Sequence, residues 1–268
     1  MTLAPCPDIS VVIPARDEIV ALAPLLDAVG RALDSLSFEV IVVDDGSTDG
    51  TFQALVALRS KHAWLSSLHN ETPLGQSASV RLGVRAARGP LVVTLDGDGQ
   101  NPPDQIPALL APFMEADSAP LGLVQGQRVG RKDARAKRWA SSAANIIRGA
   151  LLRDGVWDSG CGLKAFRREA YFDLPWFDHI HRFLPAMMLR EGWRVETVPV
   201  THRDRQGGRS KYGNISRALV GIPDLLGAAW LIRRAGPPRH VQTISAKTAV
   251  SPSRPERTRC DRVEVGPG

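Results

Sequence analysis

Four short apolar runs, each closed by polar or helix-breaking residues, recur at intervals of about thirty residues in the first hundred. Ile9–Ile13 stops at Pro14, Phe38–Val43 runs into Asp44-Asp45-Gly46-Ser47, a third lies near Trp64–His69, and Leu91–Leu95 opens into Asp96-Gly97-Asp98. The clearest of them are continuous rather than alternating and rich in β-branched residues, as strands covered on both faces are. The stretches between carry apolar residues at helical spacing. Leu22, Leu25, Leu26, Val29 and Leu33 mark a helix over about Glu18–Leu36. Asp49 or Thr48 can cap a second that runs to about Lys61, and Val80, Val84 and Ala87 give the sheet-facing side of a third that begins near Gly75. Alternation in such units predicts an α/β fold: a mostly parallel central sheet with right-handed crossovers, flanked by helices.

After Pro103 the pattern loosens. Helices are expected over Gln105–Ala116, Arg138–Leu152 and His179–Glu191, strands over Leu121–Gln127 and Trp193–Val200, and a short extended piece over Gly160–Phe166. Ala218–Ile232 is largely apolar, but Pro223-Asp224 interrupts it and it falls short of the ~20 residues a bilayer span needs. Leu219, Ile222, Leu226 and Trp230 recur near helical spacing, with Arg217 before them and Arg233-Arg234 after. That reads equally as a helix lying in a membrane interface and as a core helix packed on the domain. Beyond Gly236, Pro, Arg, Ser and Thr without periodicity predict a disordered basic tail.

A hydrophobic content of 43% supports a sizeable core, and the net charge of +6 changes the picture only once it is divided. Arg233–Gly268 holds eight Lys/Arg against three Asp/Glu, so the tail carries +5 and residues 1–232 only +1. Nucleic-acid binding calls for a basic face on a folded domain, so no nucleic-acid partner is expected. One basic cluster does lie in the body: Arg128, Arg131, Lys132, Arg135, Lys137 and Arg138, interrupted only by Asp133. It suits a solvated face or a phosphate site. The N-terminus lacks a basic start followed by a long apolar run, so no cleaved signal peptide is expected. Cys6, Cys161 and Cys260 lie far apart, without metal-ligand spacing.

The chemistry gathers at the ends of the strands. Asp96-Gly97-Asp98 places two carboxylates at the C-terminal edge of a parallel sheet, where α/β proteins bind ligands. Such oxygens are hard ligands suited to Mg²⁺ or Mn²⁺, although Asp and Gly are also ordinary turn residues. No GxGxxG follows the first strand and no Walker A loop is present, which argues against dinucleotide-dependent oxidoreductases and P-loop ATPases. Three further patches accompany the carboxylates: Asp44-Asp45-Gly46-Ser47-Thr48-Asp49-Gly50-Thr51, Asn70…Gly75…Ser79…Gly83, and Asp158-Ser159-Gly160-Cys161-Gly162-Leu163-Lys164.

Taken in order, over about Ile9–Trp230, these patches resemble glycosyltransferase family 2, of the GT-A fold. His181-Arg182-Phe183-Leu184-Pro185 and Gly208-Arg209-Ser210-Lys211-Tyr212 are similar to its polyprenyl-phosphate, dolichol-phosphate mannosyltransferase-like branch. The resemblance implies an inverting, metal-dependent transfer of one sugar from a nucleotide-sugar donor (GDP- or UDP-hexose) to a polyprenyl phosphate. Residues 1–213 would form the catalytic domain, with a nucleotide-binding half over about 9–103 and an acceptor half over about 104–213. Residues 214–235 would form an amphipathic helix at the membrane interface and 236–268 the tail. By the same resemblance Pro14, Ala15, Glu18, Asp44, Asp45 and Asp96 would bind the donor, and Asp98 and Gln100 would hold Mg²⁺ or Mn²⁺. Asp96, Asp98 and Arg209 would carry the catalytic roles, and Arg128, Arg138 and Ser142 would receive the acceptor phosphate. Asp17 stands where the family often has Asn, and the Trp of the QxxRW signature of processive synthases is missing after Gln206-Gly-Gly-Arg209.

A lipid monophosphate, with its second pKa near 6, is ionised enough at neutral pH to attack without a dedicated base. The enzyme is then expected peripherally on the cytoplasmic face of a membrane. A family 2 enzyme acting on a polysaccharide or other envelope acceptor is the nearest alternative. A non-catalytic membrane adaptor is the alternative of another class, and the intact Asp96/Asp98/Gln100 set argues against it.

Overall fold

The computed structural model describes residues 6–115, 120–129, 148–203 and 214–235, with the backbone alone for 214–220. Its centre is a seven-stranded sheet: β1 (Ile9–Ala15), β2 (Phe38–Asp45), β3 (Leu65–Asn70), β4 (Leu91–Thr94), β5 (Leu121–Arg128), β6 (Lys164–Arg167) and β7 (Arg194–Val200). The order is β3-β2-β1-β4-β6-β5-β7. All neighbours run parallel except β6, which is antiparallel to both β4 and β5. The expected α/β architecture is therefore present, and the second half extends the same sheet.

Continuous apolar strands follow from burial on both faces. Val11, Ile13, Val40 and Val42 point into one core layer with Leu22, Leu26 and Leu55, contributed by α1 (Ile19–Ala32) and α2 (Thr51–Arg59). Val12, Ile41 and Val43 point the other way, toward α3 (Gln76–Ala86) with its buried Val80 and Val84. Gly83 lets α3 lie against the sheet, since a Cβ there would overlap Val12. At the N-terminal ends of β1 and β2, opposite the strand ends that carry the polar patches, Ser10 Oγ donates to Glu39 at 2.7 Å and Arg88 Nε donates to the same carboxylate at 2.8 Å.

Two expected helices are broken. Gln105–Ala116 resolves into a 3₁₀ turn Pro103–Gln105, the short α4 (Ile106–Leu110) and a second 3₁₀ turn Ala111–Met114. Pro107 and Pro112 lack the N–H a longer helix would need. His179–Glu191 resolves into a 3₁₀ turn Ile180–Arg182, preceded by the left-handed His179 (φ 61°), and a later helix, with the break at Phe183, whose backbone is not helical (φ −113°, ψ 4°). The short α5 (Arg168–Phe172), which the pattern did not announce, follows β6; the helix after the 3₁₀ turn is α6 (Leu184–Arg190). The extended piece narrows to β6 itself, with 160–163 forming a turn before it.

The last helix, α7 (Asn214–Arg233), buries Ala228 and Ala229 against the α3 side of the sheet, with Leu225, Leu231 and Ile232 packed beside them. Ile222, Leu226 and Trp230 stay 58%, 61% and 58% exposed. No helix among the described residues is long and apolar enough to cross a membrane.

Candidate active site

Because β1, β2, β3 and β4 are parallel, the segments that follow them meet at one edge of the sheet. β6 runs the opposite way, so the turn that precedes it arrives at the same edge. That geometry brings the four sequence patches together.

Asp96-Gly97-Asp98 crosses directly over the end of β1. A Cβ on Gly97 would stand 3.0 Å from both the Ala15 Cβ and the Pro14 carbonyl oxygen, so only glycine lets the two segments touch without displacement. The Asp96 carboxylate is held from both sides, accepting from Gln76 Nε2 at 2.9 Å and from Asn101 Nδ2 at 3.1 Å. It rests on the backbone of Gly162, where an added Cβ would overlap it. Burial, and then the charge of Asp98, push the Asp96 carboxyl above its ordinary range; Lys164 and Arg128 oppose them in part. Asp98 Oδ1 accepts from the backbone N–H of Gln100 at 3.1 Å, and the Gln100 carbonyl accepts from Arg203 N–H at 2.9 Å, which fixes this loop to the segment after β7.

Asp44 and Asp45 both lie at the buried end of β2, and both are engaged inward. Asp44 Oδ1 accepts from the Ser47 hydroxyl and from its N–H at 3.2 Å, while Oδ2 lies 2.8 Å from His69 Nδ1. Asp45 accepts from Leu74 N–H (2.8 Å), Asn70 Nδ2 (3.0 Å) and Gly75 N–H (2.9 Å). Burial alone would raise the Asp45 carboxyl, but its hydrogen bonds, that from Leu74 N–H foremost, outweigh it and hold the group below its ordinary 3.8. Asp45 thus secures the corner that starts α3, from which Gln76 reaches Asp96.

Glu18 is buried at the start of α1, where its backbone N–H donates to Thr51 Oγ1 at 3.1 Å. The departure at Asp17 has a structural reason. Asp17 is left-handed (φ 56°), a region Asn and Asp tolerate better than most residues, and its Oδ1 accepts from Thr48 N–H at 2.7 Å. The oxygen of an Asn amide could do the same. Pro14, Ala15, Asp17 and Glu18 therefore face the 44–51 turn as one unit.

Arg128, at the end of β5, makes a bidentate pair with Asp158: Nε to Oδ2 at 2.6 Å and Nη2 to Oδ1 at 2.7 Å. Lys164, buried at the start of β6, donates to the carbonyls of Ser159 (3.1 Å) and Cys161. Burial lowers its ammonium, while Cys161, Asp96 and Asp158 pull the other way. Lys164 stood in a quoted motif without a role; its place as the cation that pins the 158–162 turn was not legible before the strand pairing was known. Gln76 is brought to Asp96 by the corner that starts α3, whereas Asn101 lies five residues on in the same loop, whose turn folds its amide back on the carboxylate. His181 Nδ1 lies 2.6 Å from the Ser77 hydroxyl, and burial and then the nearby Arg182 push the imidazole well below its ordinary range. Arg138, Ser142 and Arg209 lie outside the described residues, as do Arg131, Lys132 and Arg135.

Residues 10–174 match the sequence profile of glycosyl transferase family 2. The chain belongs to that family. Among relatives of this family 2 glycosyltransferase is a dodecaprenyl-phosphate galacturonate synthase of Rhizobium johnstonii, 34% identical over 87% of this chain and 70% of the relative. An undecaprenyl-phosphate 4-deoxy-4-formamido-L-arabinose transferase of Salmonella choleraesuis is 32% identical over 78% of this chain. This chain spans 64% of that relative's length. The GT-A fold is shared with solved structures. Glucosyl-3-phosphoglycerate synthase from Mycobacterium tuberculosis, in complex with Mn²⁺, UDP and phosphoglyceric acid, aligns with a TM-score of 0.63 at 20% identity over 86% of this chain and 80% of its own. A mannosyltransferase from Pyrobaculum calidifontis in complex with GDP-mannose and Mn²⁺ aligns at 0.60 and 23% identity, over 88% and 69%.

The donor set of this family 2 chain fits a divalent cation of the Mg²⁺ or Mn²⁺ type. Asp98 and the side-chain carbonyl of Gln100 are hard oxygen ligands, and such ions are commonly held by one or two carboxylates with substrate phosphates completing the shell. Among the described residues no group of three or more His, Cys, Asp or Glu forms a self-sufficient metal cage. This edge suits an ion shared with a phosphorylated substrate.

Proposed function

We propose that this glycosyltransferase moves a single sugar from a GDP- or UDP-hexose to a polyprenyl phosphate at a membrane surface, with inversion at the anomeric carbon. The observation that carries the reading is the crossing of Asp96-Gly97-Asp98 over Pro14-Ala15, with the Gly162 turn and Arg128 on its other side. A donor seated along the ends of β1 and β2 would lie against Pro14, Ala15, Glu18 and the Asp44–Asp45 turn, with its diphosphate at Asp98 and Gln100. Bound there, Mg²⁺ or Mn²⁺ would neutralise charge on the departing nucleoside diphosphate. Asp96, clamped by Gln76 and Asn101, faces the sugar end of the donor.

Arg128, with Arg138 and Ser142, would receive the acceptor phosphate, and Arg209 would contact the donor phosphates. Guanidinium forks suit phosphate oxygens. Asp158 engages the Nε–Nη2 edge of Arg128, which fixes the direction of the fork; Nη1 is not part of that pair. The ionised acceptor oxygen then attacks the anomeric carbon without a side-chain base. Both relatives are transferases or synthases named for a polyprenyl phosphate, which supports this acceptor class. The exposed stripe Ile222, Leu226 and Trp230 on α7 supports peripheral docking beside the lipid, with 1–213 as the catalytic unit.

The test is a panel of labelled nucleotide-sugars offered with short prenyl phosphates and Mg²⁺ or Mn²⁺. The expected product is a chelator-sensitive sugar–phospholipid. Transfer to a polysaccharide primer with none to any prenyl phosphate would replace this reading with the alternative acceptor.

A further inference from the structure

Gln76 is exposed, and a solvated amide on its own holds a carboxylate such as Asp96 only loosely. Its neighbours in the first turn of α3 are not loose, and each is tied to a different part of the protein. Gly75 N–H donates to Asp45 at 2.9 Å. Ser77, 1% exposed, meets a segment 104 positions away. Its Oγ lies 2.6 Å from His181 Nδ1 and accepts from the His181 backbone N–H at 3.4 Å. Ile180 and Phe183, on either side of His181, belong to the same apolar layer as Val80 and Val84 of α3. A polar pair set into such a layer fixes one arrangement, because a buried hydroxyl or imidazole is costly without its partner.

The turn that carries His181 is held at its other end by α7. His179 Nδ1 lies 2.9 Å from Asp224 Oδ2, and the His179 carbonyl accepts from Arg182 N–H at 3.0 Å, which closes the turn around His181. The two imidazoles stand 6.4 Å apart, edge to face. Contacts therefore run from Asp224 of α7 to His179, across one 3₁₀ turn to His181 and Ser77, and one residue back to Gln76 and Asp96. We infer that His181 is a positioning residue for Asp96, acting through Ser77 and Gln76, and that His179 and Asp224 let the seating of α7 reach the same carboxylate. α7 then governs the rate of transfer as well as carrying the face proposed to dock. This rests on the reading of Asp96 as facing the sugar end of the donor.

The experiment uses the full chain, a soluble acceptor that the wild type glycosylates, and UDP and GDP as binding probes in calorimetry. Gln76→Ala and Ser77→Ala each lower kcat about tenfold, within what a small misplacement of a group at the reacting centre costs. Affinity for UDP or GDP, which lack the sugar, stays within about twofold of the wild type. His181→Asn, whose amide keeps a polar atom near the Nδ1 position, stays within about threefold in kcat. His179→Asn tolerates the left-handed backbone and lowers kcat about threefold by releasing Asp224. Neither Ser77→Ala nor His179→Asn costs anything further once Gln76→Ala is present. The inference is overturned if the losses from Ser77→Ala and Gln76→Ala multiply, because Ser77 would then support only the fold. It is equally overturned if UDP or GDP weakens in parallel, which would mean that the whole corner had moved. A His179→Asn variant with unchanged kcat takes α7 out of the path and ends that half. Should Ser77→Ala not fold, His179→Asn with Gln76→Ala closes the same cycle. The path ends at the donor, so the result holds whatever the acceptor. A wild type that transfers sugar to none identifies failure of the proposed function itself, and the inference falls with it.

Discussion

Asp98 and Asp96 are two residues apart in the chain and differ in what surrounds them. Asp96 is clamped by two amides and rests on a glycine; Asp98 meets the N–H of Gln100 across its own turn. Asp98→Ala is therefore expected to leave the fold intact, shown by an unchanged circular dichroism melt, and to lower transfer by at least about a hundredfold. Gly162→Ala tests the other carboxylate without touching it, since its Cβ must push Asp96 aside. Displacement near 1 Å can cost about a hundredfold in rate, so a folded Gly162→Ala with near-normal turnover would refute the placement of Asp96.

Asp45 gives a prediction in pH. Its folded-state carboxyl is held below the ordinary 3.8, so it contributes stability that is full above that value and is lost as pH falls through the lower folded value. The stability gap between wild type and Asp45→Asn, measured by denaturant melts, should be constant near neutrality and close below about pH 4. The site carboxylates were legible because Asp-Gly-Asp after a buried strand is a local pattern. Gln76 and Lys164 were not, because an amide or a lysine acquires its role only from what the fold places opposite it, and Asn101 was not, because only the turn of its loop folds it back on Asp96.

At the scale of elements, α7 joins both readings its sequence allowed. Ala228 and Ala229 pack inward while Ile222, Leu226 and Trp230 face out, so one helix is core on one side and a candidate docking face on the other. Leu226→Asp should reduce flotation with anionic vesicles and activity on long-chain acceptors more than on short soluble ones, with no change in melting. Binding should weaken with salt, since headgroup attraction is screened within about 8 Å at physiological ionic strength. Equal partitioning of folded wild type and variant would remove the docking role. The first and third helices were readable because Leu22 with Leu26, and Val80 with Val84, keep a steady period, each pair toward its own face of the sheet. The helices expected over Gln105–Ala116 and His179–Glu191 were interrupted locally, the first around Pro107 and Pro112 and the second at Phe183.

For the whole molecule, the described core closes with α7, and the family match ends at residue 174. Deleting Gly236–Gly268 should leave turnover on a soluble short-chain acceptor within about twofold; a folded truncation that loses it would give the tail a catalytic part. The parallel half of the sheet followed from the sequence, since each βα unit declares its direction. The reversal of β6 did not, because four residues of strand carry no sign of which way they will run.

That reversal has a consequence in time. Thr94 and Lys164 face each other across β4 and β6, seventy positions apart in the chain. The edge proposed to hold the donor needs only neighbouring βα units, whereas Gly162 reaches Asp96 only after this distant antiparallel pair has closed. Contacts of such long separation are the slow ones in folding. In refolding from denaturant, nucleotide affinity should return before the ability to transfer sugar, so that for an interval the protein holds its donor and does nothing with it.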